Sequence, residues 1–97
     1  MTAEPEVLGI YIPFWGDLGY LRTAVESVLS QTSPHWRLTV VNDAHPDLAV
    51  DDYFAGLAGE PRIRYIRNPE NCGITENFRR CAQMATEPRV VIMGCDD

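Results

Sequence analysis

A chain of 97 residues with 45% hydrophobic and 23% charged positions has the composition of a soluble globular protein, sized for one domain, and excludes a disordered or low-complexity segment. Its formal charge of -6, with all 8 basic residues Arg and none Lys, excludes a nucleic-acid surface, which needs clustered cations, and leaves carboxylates in excess for metal. No apolar run approaches the roughly 20 residues of a membrane helix, and the acidic start lacks the basic and apolar regions of a secretory signal. Cys72, Cys81 and Cys95 form no CxxC pair, so a reduced, cytoplasmic setting is expected, with all three read as small core residues.

Residues 7–12 form an apolar run without alternation, as in a strand covered on both faces, and Pro13 is expected to stop it because proline cannot donate to a ladder. From Leu21 the positions Leu21, Ala24, Val25, Val28 and Leu29 make a helical stripe. A second strand, residues 36–41, runs into the turn formers from Asn42 and delivers Asp43 to its carboxyl end. Asp47 is expected to cap a helix whose apolar face is Val50, Tyr53, Phe54 and Leu57, ending at Gly56 to Gly59. Residues 62–67 alternate basic and apolar side chains, the pattern of an edge strand with one wet face. Ile74, Phe78, Cys81, Ala82 and Ala85 mark a third helix with Thr75 as its cap, and residues 89–94 read as a buried fourth strand.

The order β-α-β-α-β-α-β predicts an α/β, Rossmann-like layer: a parallel sheet of about four strands with helices on both faces. Ligands of such sheets bind beyond the carboxyl ends of the strands. Pro13, Asp43, Asn71 with Gly73, and Asp96 with Asp97 all fall just past expected strand ends, so that edge is the predicted binding edge. The adjacent carboxylates Asp96 and Asp97 suit a divalent cation that offsets phosphate charge, and equally suit a polar turn. Asn71 and Gly73 by themselves read equally as a tight turn, Trp36 and Phe78 as core, and His35 and His45 as loop residues without metal-ligand spacing.

Taken together, these segments resemble the N-terminal half of a family 2, GT-A fold glycosyltransferase. Ile10-Tyr11-Ile12-Pro13-Phe14-Trp15 is similar to its opening strand ending in Pro, with Phe14-Trp15-Gly16 in place of the usual Thr-Tyr-Asn. Residues 21–32 match its "ESVLxQT" helix, and Val40-Val41-Asn42-Asp43 its strand ending in paired acids, with Asn42 at the first acid. Arg67-Asn68-Pro69-Glu70-Asn71-Cys72-Gly73 resembles its "RNxxNxG" loop, and Gly94-Cys95-Asp96-Asp97 a DxD motif lacking the first Asp.

The resemblance covers about residues 7–97. It implies the nucleotide-sugar-binding part of an inverting glycosyltransferase, with the acceptor-binding half and the catalytic base absent and this chain inactive alone. It further implies a nucleotide-diphosphate sugar, UDP-sugar favoured, as partner with an unknown acceptor, and a divalent cation, Mn2+ or Mg2+. Nucleotide contacts are expected from Pro13, Phe14, Asp43, Asn71, Gly73, Asn77 and Asp96, with Asp97 on the metal. Two other classes stay open: a non-catalytic α/β interaction fragment, and a receiver-like phosphotransfer domain, which normally needs a Lys that this chain lacks.

Overall fold

The structure, a computed structural model, describes residues 6–93. Seven elements alternate along the chain: β1 (Leu8–Phe14), α1 (Leu18–Leu29), β2 (Trp36–Asn42), α2 (Ala49–Ala55), β3 (Ile63–Arg67), α3 (Ile74–Met84) and β4 (Arg89–Ile92). The four strands make one all-parallel sheet in the order β3-β2-β1-β4, the arrangement the sequence predicts. Strand order reverses at β1, because the chain steps outward from β1 to β3 and then crosses back to place β4 on the other side.

Strand periodicity sorts the core into two layers. Ile10, Ile12 and Phe14 of β1 share a face with Leu38 and Val40 of β2, and pack with Leu21, Val25 and Val28 of α1 and Val50 and Phe54 of α2. Tyr11 and Val41 point the other way and meet Cys81 of α3, with Ile66, Met84 and Ile92 beside them. Trp36 is core as expected, at 2% exposure, with the Arg62 guanidinium 4.1 Å from its ring centroid.

Several local expectations are corrected. Pro13 does not end β1: it pairs with Val41, and the strand runs on to Phe14. The Leu8 N–H faces β2, so alternation turns the nitrogen of residue 13 toward β4, beyond the last described pair, Tyr11 with Ile92. No described ladder bond is lost there. The α1 helix starts at Leu18 rather than Leu21, since the Asp17 carboxylate caps it by accepting from the Gly19 N–H at 2.6 Å. At α2 the Asp47 side chain does accept from the Ala49 N–H at 2.9 Å, although Leu48 holds the cap position.

The third helix differs most from its expected stripe. Its inward positions are Asn77 and Cys81, while Ile74 is 65% and Phe78 49% exposed, so Phe78 is not core. Gly73, not Thr75, is the cap residue, and Thr75 lies inside the helix. The misreading came from counting apolar residues as inward when a polar Asn occupies the buried seam. β3 is an edge strand as predicted, whereas β4 is not buried: Val90 and Val91 are 39% and 43% exposed, because β4 is the opposite edge of the described sheet.

Where β4 begins, Gly9 allows a close crossing. A Cβ at that position would run into the Glu87 carboxylate, which accepts from the Tyr11 hydroxyl at 2.8 Å. Among the described residues no helix is long and apolar enough to cross a membrane.

Candidate functional site

The carboxyl edge of the sheet is built from two loops, each locked by a polar network. In the first, Asp43 follows β2 and continues the β1–β2 ladder by donating its N–H to the Phe14 carbonyl at 3.0 Å. Its carboxylate turns back against the loop after β3. Oδ1 accepts from the Asn68 side-chain amide (2.9 Å), the Cys72 N–H (2.9 Å) and the Cys72 thiol (3.1 Å), and Oδ2 accepts from the Gly73 N–H (3.0 Å). The Asn71 amide completes the clasp by donating to the Asp43 carbonyl at 3.1 Å.

Asp43 is therefore 1% exposed, a buried residue although it lies past the end of β2. Burial alone would raise its pKa. The hydrogen bonds from Cys72, Asn68 and Gly73 outweigh that and hold the carboxyl below its ordinary value. A carboxylate with four donors in place has little left to offer a hard cation, so Asp43 reads as the loop's organiser rather than a metal ligand.

Asn77 extends the same network inward. Its amide donates to the Val41 carbonyl at 3.0 Å and its oxygen accepts from Asn68 at 3.0 Å, leaving it 1% exposed behind the cleft rather than in it. The cap that starts α3 depends on Gly73, which sits at φ 88°, ψ 158°, a region essentially restricted to glycine. A Cβ there would meet nothing within 4 Å, so Gly73→Ala should cost about 1–3 kcal/mol through backbone strain alone. Urea unfolding followed by circular dichroism measures this, with a fall in midpoint and an unchanged slope expected.

The second network holds the loop from β2 to α2. Asn42 donates to the Tyr65 hydroxyl at 2.8 Å and accepts from the His45 N–H at 2.9 Å; Tyr65 in turn donates to Asp51. Arg67 bridges Asp51 at 3.0 Å and the His45 carbonyl at 2.7 Å. Because Tyr65 gives its proton to Asp51, its oxygen needs a donor, which Asn42 supplies and an Asp could not. Ala44, between the two networks, adopts φ 61°, the one described non-glycine residue in that left-handed region.

Beside the Asp43 network lies an open cleft of about 430 Å³, lined by Trp15 from the loop after β1 and by Asp43, Asn71, Gly73 and Ile74. Of the residues expected from sequence, Asp43, Asn71 and Gly73 come together here. Pro13 and Phe14 are buried and do not line it, with Phe14 fully enclosed in the core. The next residue takes that place: Trp15 is 44% exposed, and its ring centroid lies 4.8 Å from that of His45. Sequence reasoning missed Trp15, Asn68 and Cys72; the signal available was that all three lie inside the two segments flanking the predicted edge. Asp96 and Asp97 lie outside the described residues, although β4 runs parallel to β1 toward this same edge.

Comparison with known proteins places the chain in a family. The family profile described as Glycosyl transferase family 2 matches residues 9–97, nearly the whole chain. The chain belongs to that family. Over 97 residues the chain is 26% identical to TuaG of Bacillus subtilis (strain 168), named for teichuronic acid biosynthesis, covering 38% of its length. Over 91 residues it is 30% identical to the colanic acid biosynthesis glycosyl transferase WcaA of Escherichia coli (strain K12), covering 94% of this chain and 32% of that protein.

A solved structure of the mannosyltransferase PcManGT from Pyrobaculum calidifontis, in complex with GDP-Man and Mn2+, superposes with a TM-score of 0.79. At 16% identity it covers 96% of this chain and 28% of the mannosyltransferase. That likeness establishes the fold as a Rossmann-like GT-A half-domain. The chain spans about a third of the length of these relatives.

Among the described residues, no three His, Cys, Asp or Glu side chains gather closely enough to hold a metal ion. Cys72 and Cys81 are free thiols. Burial pushes the Cys81 thiol up to about 11, and burial together with the Asp43 carboxylate raises that of Cys72, so neither is an activated nucleophile.

Proposed function

We propose that residues 1–97 are the nucleotide-sugar-binding part of an inverting glycosyltransferase, in which the Trp15 cleft receives the nucleotide of the donor. The observation that carries this reading is the cleft itself, at the carboxyl edge of a parallel sheet, walled by an exposed indole and a preorganised Asn71–Gly73 loop. An indole face stacks on any nucleobase, and the Asn71 region offers polar groups for the base or ribose. Asp43 contributes by holding that loop, and Asn77 by supporting Asn68 behind it. Pro13 and Phe14 act through the backbone that positions Trp15.

Asp96 and Asp97 complete the site in this proposal. β4 leads toward the cleft edge, and the two carboxylates follow it in the sequence. Asp96 contacts the ribose and Asp97 a divalent cation, Mn2+ or Mg2+, that neutralises the donor diphosphate. The mannosyltransferase neighbour carries GDP-Man and Mn2+, which supports a nucleotide sugar with a metal as the ligand class. UDP is the favoured donor nucleotide and GDP the comparison. The acceptor hydroxyl and the base that deprotonates it are contributed outside these residues, in the cytoplasm, so the 97-residue chain alone transfers no sugar.

Calorimetric titration with UDP and with GDP, each with and without Mn2+, tests the reading. Mn2+-dependent binding of one nucleoside diphosphate, weakened by Asp97→Asn, is expected. Binding indifferent to metal, equal metal affinity in the variant, or multiple-turnover sugar transfer by this chain would refute it.

A further inference from the structure

The amino-terminal end of the sheet, opposite the cleft, carries a second hollow of about 230 Å³. It opens on the face that holds Tyr11 and Val41, where α3 ends and leaves the first residues of β2 and β3 uncovered. Arg37 and Thr39 of β2, Arg64 of β3, Arg62 just before it, and Thr86 and Glu87 from the link into β4 line the hollow.

These side chains differ in how far they are already committed. Arg62 is tied to Glu60 at 2.7 and 3.0 Å and stacked on Trp36. Glu87, with its side chain 7% exposed, accepts from Tyr11 at 2.8 Å and meets Arg37 only at 3.8 Å. Arg64 makes no ion pair among the described residues, and Arg37 is 64% exposed with only that long contact. Thr39, 4% exposed, also lines the hollow. Two guanidiniums without a short ion pair among the described residues thus line the hollow together with two threonines, beside one carboxylate already engaged by Tyr11.

We propose that this hollow is an oxyanion site, independent of the Trp15 cleft, that binds a phosphate group between Arg37 and Arg64 with Thr39 at its floor. Guanidiniums present forked donors that match tetrahedral oxyanions, and a threonine hydroxyl can add a further donor. The volume suits a phosphate with a few waters. Inorganic phosphate and a phosphomonoester share this chemistry.

The test is a titration of the 15N-labelled chain at constant ionic strength, with chloride making up the balance, using inorganic phosphate, glycerol phosphate and acetate in separate arms. Saturable shifts at the Arg37 and Arg64 side-chain N–H groups and the Thr39 amide, leaving Trp15 unmoved, are expected for phosphate or glycerol phosphate. The tighter of those two identifies the source. The double variant Arg37→Gln with Arg64→Gln, both exposed positions that leave the core intact, should weaken binding by about tenfold or more. Thr39→Val should weaken it less. No saturable shift, equal affinity in the double variant, or acetate binding as tightly as phosphate would overturn the proposal.

Discussion

Asp43→Ala is expected to lower the unfolding free energy by about 2–6 kcal/mol, because the Cys72 and Gly73 N–H groups lose their buried acceptor and each such orphan costs about 1–3 kcal/mol. Against a typical stability of about 5–15 kcal/mol, that is enough to melt the 68–73 loop or the whole domain near room temperature. Asn68 keeps its bond to Asn77 and softens the loss. Asp43→Asn should recover part of it, since one amide oxygen replaces one carboxylate oxygen while the NH2 group faces a donor. Urea unfolding of the three proteins, read by circular dichroism, measures the series, and an alanine variant as stable as the parent would show that the network carries no net stability.

Acid should expose the same carboxylate. Its folded pKa lies below the ordinary value, so ionised Asp43 contributes stability that is fully present above its unfolded pKa of about 3.9 and is lost as pH falls through the lower folded value. Asp43→Asn removes this component, so its stability should fall less steeply below about pH 4 than that of the parent. Nucleotide affinity in the alanine variant should fall together with the loop, because Asn71 and Gly73 lose the clasp that forms the cleft wall.

Trp15→Ala separates binding from folding. The side chain is 44% exposed, so stability should change by no more than about 0.5 kcal/mol. Removing an aromatic platform from a nucleobase costs about 1–3 kcal/mol, or roughly 5- to 150-fold in affinity. Trp15→Phe should restore most of the binding, since stacking needs a π-face more than an indole N–H. Titration with UDP and Mn2+ gives the affinities, and an unchanged value in folded Trp15→Ala would place the nucleotide elsewhere.

The alternation of strands and helices was legible in the residues because each element carries its own periodicity. The unbroken apolar run at residues 7–12, the β-rich stretch at residues 36–41 and the Leu21-Val25-Val28 stripe reflect burial, which demands apolar side chains at spacings set by local geometry. The segments that flank the carboxyl edge were legible for a related reason: in a parallel sheet every such loop must arrive at the same end. Asp43, Asn71 and Gly73 were found this way.

The direction of individual side chains was decided by tertiary structure. Asp43 looks like an exposed loop acid until the β3–α3 loop folds over it, and Asn77 looks like a surface residue until Val41 and Asn68, 36 and 9 positions away, supply its partners. Phe14 and Trp15 are adjacent aromatics that nothing local distinguishes. Pairing with Asn42 turns Phe14 into the core and leaves Trp15 at the cleft. A buried polar residue is recognisable only by its hydrogen-bond partners, and here those come from distant segments of the chain.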